Sequence, residues 1–260
     1  MTIYLYIIRF NFLRFLAYPI EIWAAVIKRV INTGFLIIFW SIIANSSHGS
    51  ISLAPLVSYF LLSSAVDDLV SAKTLYFGRY LGKAIKMGTI NTYLIRPLSI
   101  IPYLYSLNLG EQSLSMILSV ITFILGVAIN PPSNGLSVIL FLVFLTLAAA
   151  ISLAFNLMIG ILFFYSPEAA SFRYTAGHII KVFSGAIIPL TFFPNAIKQI
   201  VLLSPFPGMV FAPVTALHYA TFNAEVAKNL AVNLIWAVLL LTVALLWWKK
   251  AIKNYDAIGM

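Results

Sequence analysis

The chain has 260 residues, of which 62% are hydrophobic and only 9% are charged, and its formal net charge is +9. Soluble globular proteins average roughly 45–50% apolar and about 25% charged residues, so this composition excludes an ordinary soluble domain and favours a membrane protein. The sequence contains no cysteine, which excludes disulfides, thiolate metal sites and a cysteine nucleophile.

The first segment, residues 1–19, is apolar but carries Arg9 and Arg14, and it has no small-residue cleavage site. We therefore expect it to be retained. The predicted structure is an elbow helix in the cytoplasmic interface, with both arginines reaching the lipid headgroups. Pro19 would then turn the chain into the first crossing.

Six apolar stretches are long enough to cross a bilayer, which takes about 20 helical residues. They are residues 22–44, 51–70, 113–130, 136–164, 177–193 and 229–248. Lys28 and Arg29 fall inside the first stretch, so either the embedded part begins near Val30 or both side chains snorkel to the interface. The fourth stretch is longer than a crossing needs and should tilt or project from the membrane.

The connector 71–112 carries five cations and no acid between residues 73 and 97. In a helix, Ile85, Ile90 and Leu94 would form an apolar stripe beside two lysines, and Pro97 should end that helix. A short amphipathic helix that is not needed for crossing indicates a docking element, although attraction to anionic headgroups also explains the cations. The candidate docking residues are Arg79, Lys83, Ile85, Lys86, Ile90, Leu94, Arg96 and Pro97.

Residues 78–84 (GRYLGKA) of this connector come close to a phosphate-binding loop. That loop needs four residues between its glycines and a hydroxyl residue after its lysine. Here three residues separate the glycines, and Ala84 follows Lys83. We therefore expect no nucleotide site in this chain.

Acidic residues near the spans have local explanations. Asp67 and Asp68 close the second stretch and are expected at the interface. Glu111 suits the start of the third helix, and Glu168 follows a helix-start signal at residues 166–167. We therefore do not predict a proton relay.

Asn156 and Asn233 lie within apolar stretches, where a polar group is costly unless it is paired. They serve either as contacts between helices, which we favour, or as lining of a translocation path. The three histidines are far apart and fit no metal-binding pattern. Because no catalytic cluster or cofactor fingerprint stands out, we expect a conduit and not an enzyme.

Five prolines interrupt the region between residues 186 and 219. They leave two apolar pieces, 195–203 and 209–217, which are each too short to cross a bilayer. Non-helical backbone at membrane depth must be buried in protein or line a cavity, so the connector 194–228 is predicted to be re-entrant, either as an outer gate or as an interfacial hairpin without a gating role. The candidate gate residues are Pro189, Phe192, Phe193, Pro194, Pro205, Phe206 and Pro207.

Lysine and arginine are distributed asymmetrically around the six stretches. Fourteen flank one side, and only Lys198 and Lys228 flank the other. The positive-inside rule places the fourteen in the cytoplasm together with both termini. The predicted fold is therefore one all-α membrane domain of six spans, with 71–112 inside and 194–228 outside. The bilayer explains the net charge, so nucleic acid is not an expected partner.

Three segments carry a resemblance to a known family. They are residues 87–98 (MGTINTYLIRPL), residues 184–194 (SGAIIPLTFFP) with 204–206 (SPF), and residues 253–259 (KNYDAIG). In this order and at these places, they make the chain resemble the six-span permease subunits of type-2 ABC exporters (type V fold), and among them the branch of uncharacterised ABC-type transport permeases. Ser204 stands where that branch is expected to carry another residue type.

The resemblance implies that two permeases pair, identical or paralogous, and that two copies of a separate ATPase dock beneath them. The ATPase would hold ATP and magnesium, and this chain would hold no cofactor. The segment 83–94 would be the coupling helix seated on the ATPase, and the hairpin 194–219 would gate the outer exit. The implied location is the cell membrane of a prokaryote.

Few charged residues lie within the spans, so a cleft between two permeases would be mostly apolar. We therefore expect apolar or amphiphilic substrates, drug-like or lipid-like. The main alternative is a stand-alone secondary transporter or channel, which would carry intramembrane acids coupled to ion flow. A membrane-embedded enzyme and an assembly factor are the remaining alternatives.

Overall fold

The computed structural model describes residues 2–46, 52–95, 98–166 and 169–255. These residues form twelve α-helices and no β-strand, which confirms the all-α prediction. In chain order the helices are α1 (Thr2–Leu16), α2 (Pro19–Ser46), α3 (Leu53–Asp67), α4 (Lys73–Lys86), α5 (Ile90–Leu94), α6 (Ile100–Glu111), α7 (Ser113–Ile129), α8 (Gly135–Leu162), α9 (Ala169–Phe183), α10 (Asn195–Leu202), α11 (Phe211–Ala216) and α12 (Ala224–Lys253).

Four helical segments are long and apolar enough to cross a membrane, and a fifth arises if α6 and α7, which meet at an angle of 63°, form one broken span. The four are Pro19–Ile43, Leu53–Val70, Gly135–Leu162 and Ala224–Lys253. They correspond to the first, second, fourth and sixth predicted stretches, and α7 corresponds to the third. The chain is therefore a multi-pass membrane protein, while the count of six spans and the orientation of the termini stay predictions.

The predicted fifth stretch, 177–193, is not one continuous helix. α9 ends at Phe183, and a 3-10 turn follows at Leu190–Phe192. The helix stops there because Gly185 adopts a left-handed conformation with φ of 86°, which glycine accepts readily and other residues do not. Pro189 then caps the 3-10 turn.

α3 and α4 form one helical rod from Leu53 to Lys86. A π-helix, Asp68–Ala72, joins them without a break. The connector predicted to begin at residue 71 thus starts as a continuation of the second span. The rod ends just before Gly88, whose φ is 69°, and this left-handed residue sends the chain into the short helix α5.

α8 lies at the centre of the fold and contributes to two buried apolar clusters. The first joins α8 to α3, α11 and α12 and includes Leu62 and Phe144. The second joins α8 to α4, α6 and the end of α12 and includes Leu81 and Leu104. All four side chains are 0% or 1% exposed, so these clusters fix how the helices pack.

The connectors sort to two ends of the bundle. At one end, the backbone of Ser133 donates to Leu217 (3.1 Å) and the Asn134 amide donates to the carbonyl of Ala220 (2.6 Å). At the other end, the ring of Phe164 contacts that of Tyr255 (5.2 Å between centroids) within the cluster that contains Ile90 and Ala251. The uncharged connectors thus share the first end, and the lysine-rich ends of α4 and α12 share the second.

Candidate functional site

The glycines of the segment 78–84 pack α4 against α8. A Cβ atom built on Gly78 would lie 2.8 Å from the carbonyl oxygen of Asn156, and one built on Gly82 would lie 2.5 Å from the ring of Phe163. Across the contact, a Cβ on Gly160 would lie 2.6 Å from Leu81. The glycine spacing that resembled a phosphate-binding loop therefore belongs to a helix and lets two backbones approach closely.

The predicted docking stripe is not a single exposed face. Ile85 and Ile90 are 8% and 0% exposed and pack inside the second cluster, whereas Leu94 is 40% exposed. The stripe assumed one helix through residue 94, but Gly88 breaks that helix and folds α5 back onto the bundle. Ile85 and Ile90 therefore lie inside the bundle and not on an exposed stripe, and their part in ATPase coupling stays a prediction.

Other residues of the same segment remain at the surface. Met87, which follows α4, is 66% exposed, and Ile95, which follows α5, is 82% exposed. Arg79, Lys83 and Lys86 are exposed as well. We call the set Lys83, Lys86, Met87, Leu94 and Ile95 the basal face. Arg96 and Pro97 lie outside the described residues.

Transmembrane helices α2 and α3 hold the start of the predicted outer gate. Phe192 stacks on Trp40 with 4.7 Å between centroids, and Trp40 stacks on Phe60 in turn. The indole Nε1 of Trp40 donates to the carbonyl of Ile187 (3.0 Å), and the hydroxyl of Tyr59 donates to the carbonyl of Gly185 (2.7 Å). Hydropathy alone gave no reason to single out Trp40, Tyr59 and Phe60.

A second run of aromatic rings links the rest of the predicted gate to the helices. Phe193 contacts Phe183 of α9, Phe183 contacts Phe206, and Phe206 stacks on Phe155 of α8 at 5.7 Å. Among the prolines of the predicted gate, the exposed one is Pro194, and the buried ones are Pro189, Pro205 and Pro207. The structure thus packs Phe193 and Phe206 of the predicted gate against α9 and α8, while Phe192 packs against α2.

The two predicted path asparagines both make helix contacts. Asn156 is 1% exposed, donates to the carbonyl of Ser152 (2.8 Å) and faces Gly78 on α4. Asn233 is 5% exposed and donates to the carbonyl of Asn229 (2.8 Å). Its side-chain oxygen occupies the space that a Cβ on Gly208 would need. Asn156 therefore packs α4 on α8, and Asn233 packs α12 on the hairpin segment at Gly208.

The adjacent acids Asp67 and Asp68 pair with cations from two other helices. The guanidinium of Arg29, on α2, binds the carboxylate of Asp68 and donates to the hydroxyl of Ser119 on α7 (2.9 Å). The ammonium of Lys181, on α9, lies 3.5 Å from Asp67. We call Arg29, Asp67, Asp68 and Lys181 the ion-pair hub. The expectation that both acids sit at the interface missed these partners, because they lie far away in sequence.

The elbow segment is tied to the bundle by a further acid. The guanidinium of Arg14 donates to Glu111 (2.6 Å), which also accepts a hydrogen bond from the hydroxyl of Tyr80. Beside this pair, a Cβ on Gly110 would lie 2.6 Å from Asn11, so α1 packs closely on α6. Glu111 ends α6 just before α7 begins, and it links α1 to α4.

A histidine lies at the opposite end of the bundle. The side-chain amide of Asn130 lies 3.3 Å from Nε2 of His218. Partial burial lowers the pKa of His218 below its ordinary value, because burial disfavours the charged imidazolium. The contact therefore joins the end of α7 to the residues that follow α11, and the imidazole ring of His218 is neutral at neutral pH.

Comparison with known proteins identifies the family. A search of curated proteins gives no match. A family model described as "ABC-2 family transporter protein" matches residues 30–259, which is nearly the whole chain. This match agrees with the apolar helices of the fold, and it assigns the chain a place as a membrane component of an ABC transporter. The chain therefore belongs to the ABC-2 family of transporter proteins.

Proposed function

We propose that this chain is the permease subunit of an ATP-driven exporter in a prokaryotic cell membrane. With a second permease, identical or paralogous, it forms the translocation path. Two copies of a separate ATPase, which hold ATP and magnesium, dock on the basal face from the cytoplasm. The observation that carries the proposal is this exposed, mixed basic and apolar face at the end of the α3–α4 rod, in a chain of the ABC-2 family.

The basal face has the composition of a protein contact. Met87 and Ile95 are large apolar side chains exposed by 66% and 82%, and methionine adapts well to a partner surface. Lys83 and Lys86 are exposed at the end of α4, just before Met87, so an acidic rim on the partner would be attracted. The buried residues Ile85 and Ile90 support this face from beneath.

The cargo proposed is apolar or amphiphilic. Two ion pairs, Arg29 with Asp68 and Lys181 with Asp67, hold four charged residues of the helices inside the chain. A lipid-facing surface or a cleft between two permeases would then be lined mainly by aliphatic and aromatic side chains. Such a lining favours drug-like or lipid-like molecules over inorganic ions. The same pairing disfavours a stand-alone ion-coupled transporter, which needs a carboxylate that is accessible to the coupling ion.

The outer hairpin is the proposed exit gate. The aromatic contacts of Phe192 with Trp40 and of Phe206 with Phe155 keep it closed on the bundle. Opening requires these rings to separate while the helices beneath stay packed. The two short helices α10 and α11 would then move as one lid.

Co-purification from native membranes tests the proposal. We expect an ATPase to elute with the wild-type chain and to be lost when Met87→Glu or Ile95→Glu is introduced. Ile197→Glu is the matched control, because Ile197 is 46% exposed on α10 at the other end of the bundle. An ATPase that binds all three variants equally would refute the basal face, and concentrative transport by the chain alone in nucleotide-free liposomes would refute the exporter.

A further inference from the structure

The ion-pair hub joins three separate helices near the middle of the α3–α4 rod. Successive residues of a helix point about 100° apart, so two adjacent acids can reach partners on different sides. Asp68 pairs with Arg29 on α2, and Asp67 pairs with Lys181 on α9. Two carboxylates and two cations thus meet around one point of the rod.

The side chains of the Arg29–Asp68 pair are well shielded. They are 13% and 26% exposed. The hydroxyl of Ser115 donates to Asp68 (3.3 Å), and Ser119 accepts from Arg29 (2.9 Å), so α7 helps to hold the pair. A charge pair in this setting is a specific connection between helices, because either charge alone would be buried without compensation.

The rod changes from α-helix to π-helix at the hub. The π-helix begins at Asp68 itself and ends at Ala72. Such segments within helices occur frequently at functional sites. Below this point, α4 continues to Lys86 and the basal face. Continuous helix joins Asp68 to Lys86, a length of about 27 Å at roughly 1.5 Å per residue.

The two helices that carry the cations of the hub, α2 and α9, both contact or enter the segment of the predicted gate. α2 carries Trp40, which stacks on Phe192 and binds the carbonyl of Ile187. α9 runs two residues past Lys181 and then enters the turn at Gly185. One point on the rod is therefore paired with two of the helices that contact the predicted gate, α2 and α9.

We propose that Arg29, Asp67, Asp68 and Lys181 are coupling residues, which transmit movement of the α3–α4 rod to α2 and α9 and so to the outer hairpin. The proposal rests on the proposed function, since the movement originates in an ATPase on the basal face. The hub takes no part in binding the ATPase or the cargo. Its role is to make the hairpin respond to the nucleotide state.

The absence of cysteine in the chain makes a direct test simple. Thr191 is exposed in the 3-10 turn that leads into the hairpin, so Thr191→Cys provides a single site for a maleimide dye. The labelling rate is measured on the complex with its co-purified ATPase, with and without ATP. Two double variants remove the pairs without leaving an orphan charge: Arg29→Gln with Asp68→Asn, and Lys181→Gln with Asp67→Asn.

In the otherwise wild-type complex, ATP should change the labelling rate by at least about fivefold, the lower end of ordinary coupling between sites. In each double variant, the change should fall below about twofold while the ATPase still binds and hydrolyses ATP. Lys28→Gln is the matched control, since Lys28 is exposed next to Arg29, and it should keep the full response.

The outcomes separate the two proposals. If no ATPase accompanies the wild-type chain, the proposed function and the coupling role fail together. If the wild-type complex responds to ATP and the double variants respond equally, the coupling role alone is wrong. If the double variants do not fold or do not assemble, the pairs serve stability and the coupling role is also wrong.

Discussion

The rings of Trp40 and Phe192 stack with 4.7 Å between their centroids and 26° between their planes. Trp40 belongs to a transmembrane helix, and Phe192 belongs to the turn that opens the outer hairpin. The hairpin is therefore fastened to α2 by the stack and by the hydrogen bond from Trp40 to Ile187. Weakening the stack or the hydrogen bond should expose the hairpin to solvent before the helical bundle unfolds.

Trp40→Leu and Phe192→Leu should each increase tryptic cleavage at Lys198, which lies in α10 of the hairpin. Because the two rings act as a pair, the double variant should show an interaction of about 0.5–1.5 kcal/mol in the opening free energy. Phe35→Leu serves as the control, since Phe35 is 64% exposed on the same helix. Strictly additive effects of the two substitutions would contradict a direct contact.

Gly78→Ala should destabilise the protein strongly, although it adds only one methyl group. The added methyl would meet the carbonyl oxygen of Asn156 at 2.8 Å, and backbone cannot move aside as a side chain can. Overpacking of this kind costs typically about 1–3 kcal/mol, which thermal denaturation in detergent would register as a lower midpoint.

Gly34→Ala is the matched control for that substitution. Gly34 lies within α2, and a Cβ built there meets no described atom within 4 Å. Alanine in a helix is favoured over glycine by about 0.5–1 kcal/mol, so this variant should be neutral or slightly more stable. Equal losses for both variants would show that the contact between α4 and α8 is not tight.

His218 should make stability depend on pH. Its pKa is lowered by burial in the folded state, so the unfolded chain binds the proton more readily and acid favours unfolding. Above the ordinary histidine pKa of about 6.5, the free energy of unfolding does not depend on the titration of His218. As the pH falls below that value, protonation of His218 in the unfolded chain lowers the free energy of unfolding. His218→Gln should reduce the drop in melting temperature between pH 8 and pH 5.5, and an unchanged drop would show that another group titrates.

The long apolar helices could be predicted because hydropathy reports burial in lipid directly. Hydropathy failed at the fifth stretch, where residues 184–193 are apolar but Gly185 turns the chain and Pro189 caps a 3-10 turn. Hydropathy averaged over a window of residues detects an uninterrupted apolar run, but it cannot detect a change of backbone conformation within that run.

The predicted docking stripe differs from the structure in the placement of Ile85 and Ile90, which are buried. Helical spacing predicted that Ile85, Ile90 and Leu94 share one side, and this requires an unbroken helix. The positive φ of Gly88 breaks the helix, so Ile90 turns inward. A glycine with left-handed conformation looks the same in sequence as the helical glycines at 78 and 82.

The ion-pair hub could not be predicted from residue spacing. Lys181 and Asp67 belong to helices far apart in the chain, as do Arg29 and Asp68, and each residue alone has a sufficient local explanation. The sequence does indicate that Arg29 needs a partner, because it lies within an apolar stretch and a buried cation is costly unless it is paired. The structure identifies that partner as Asp68.

The π-helix between Asp68 and Ala72 has a geometric consequence for the whole rod. Removing one residue from it would rotate everything that follows by about 100°. Gly78 and Gly82 would then turn away from α8, and the lysines near residue 86 would point to a new side. The segment therefore sets the rotational phase between the half of the rod that begins at Leu53 and the half that ends at Lys86, so its length matters to the single residue. Val70 adds buried packing at the same place, and Asp68 pairs there with Arg29.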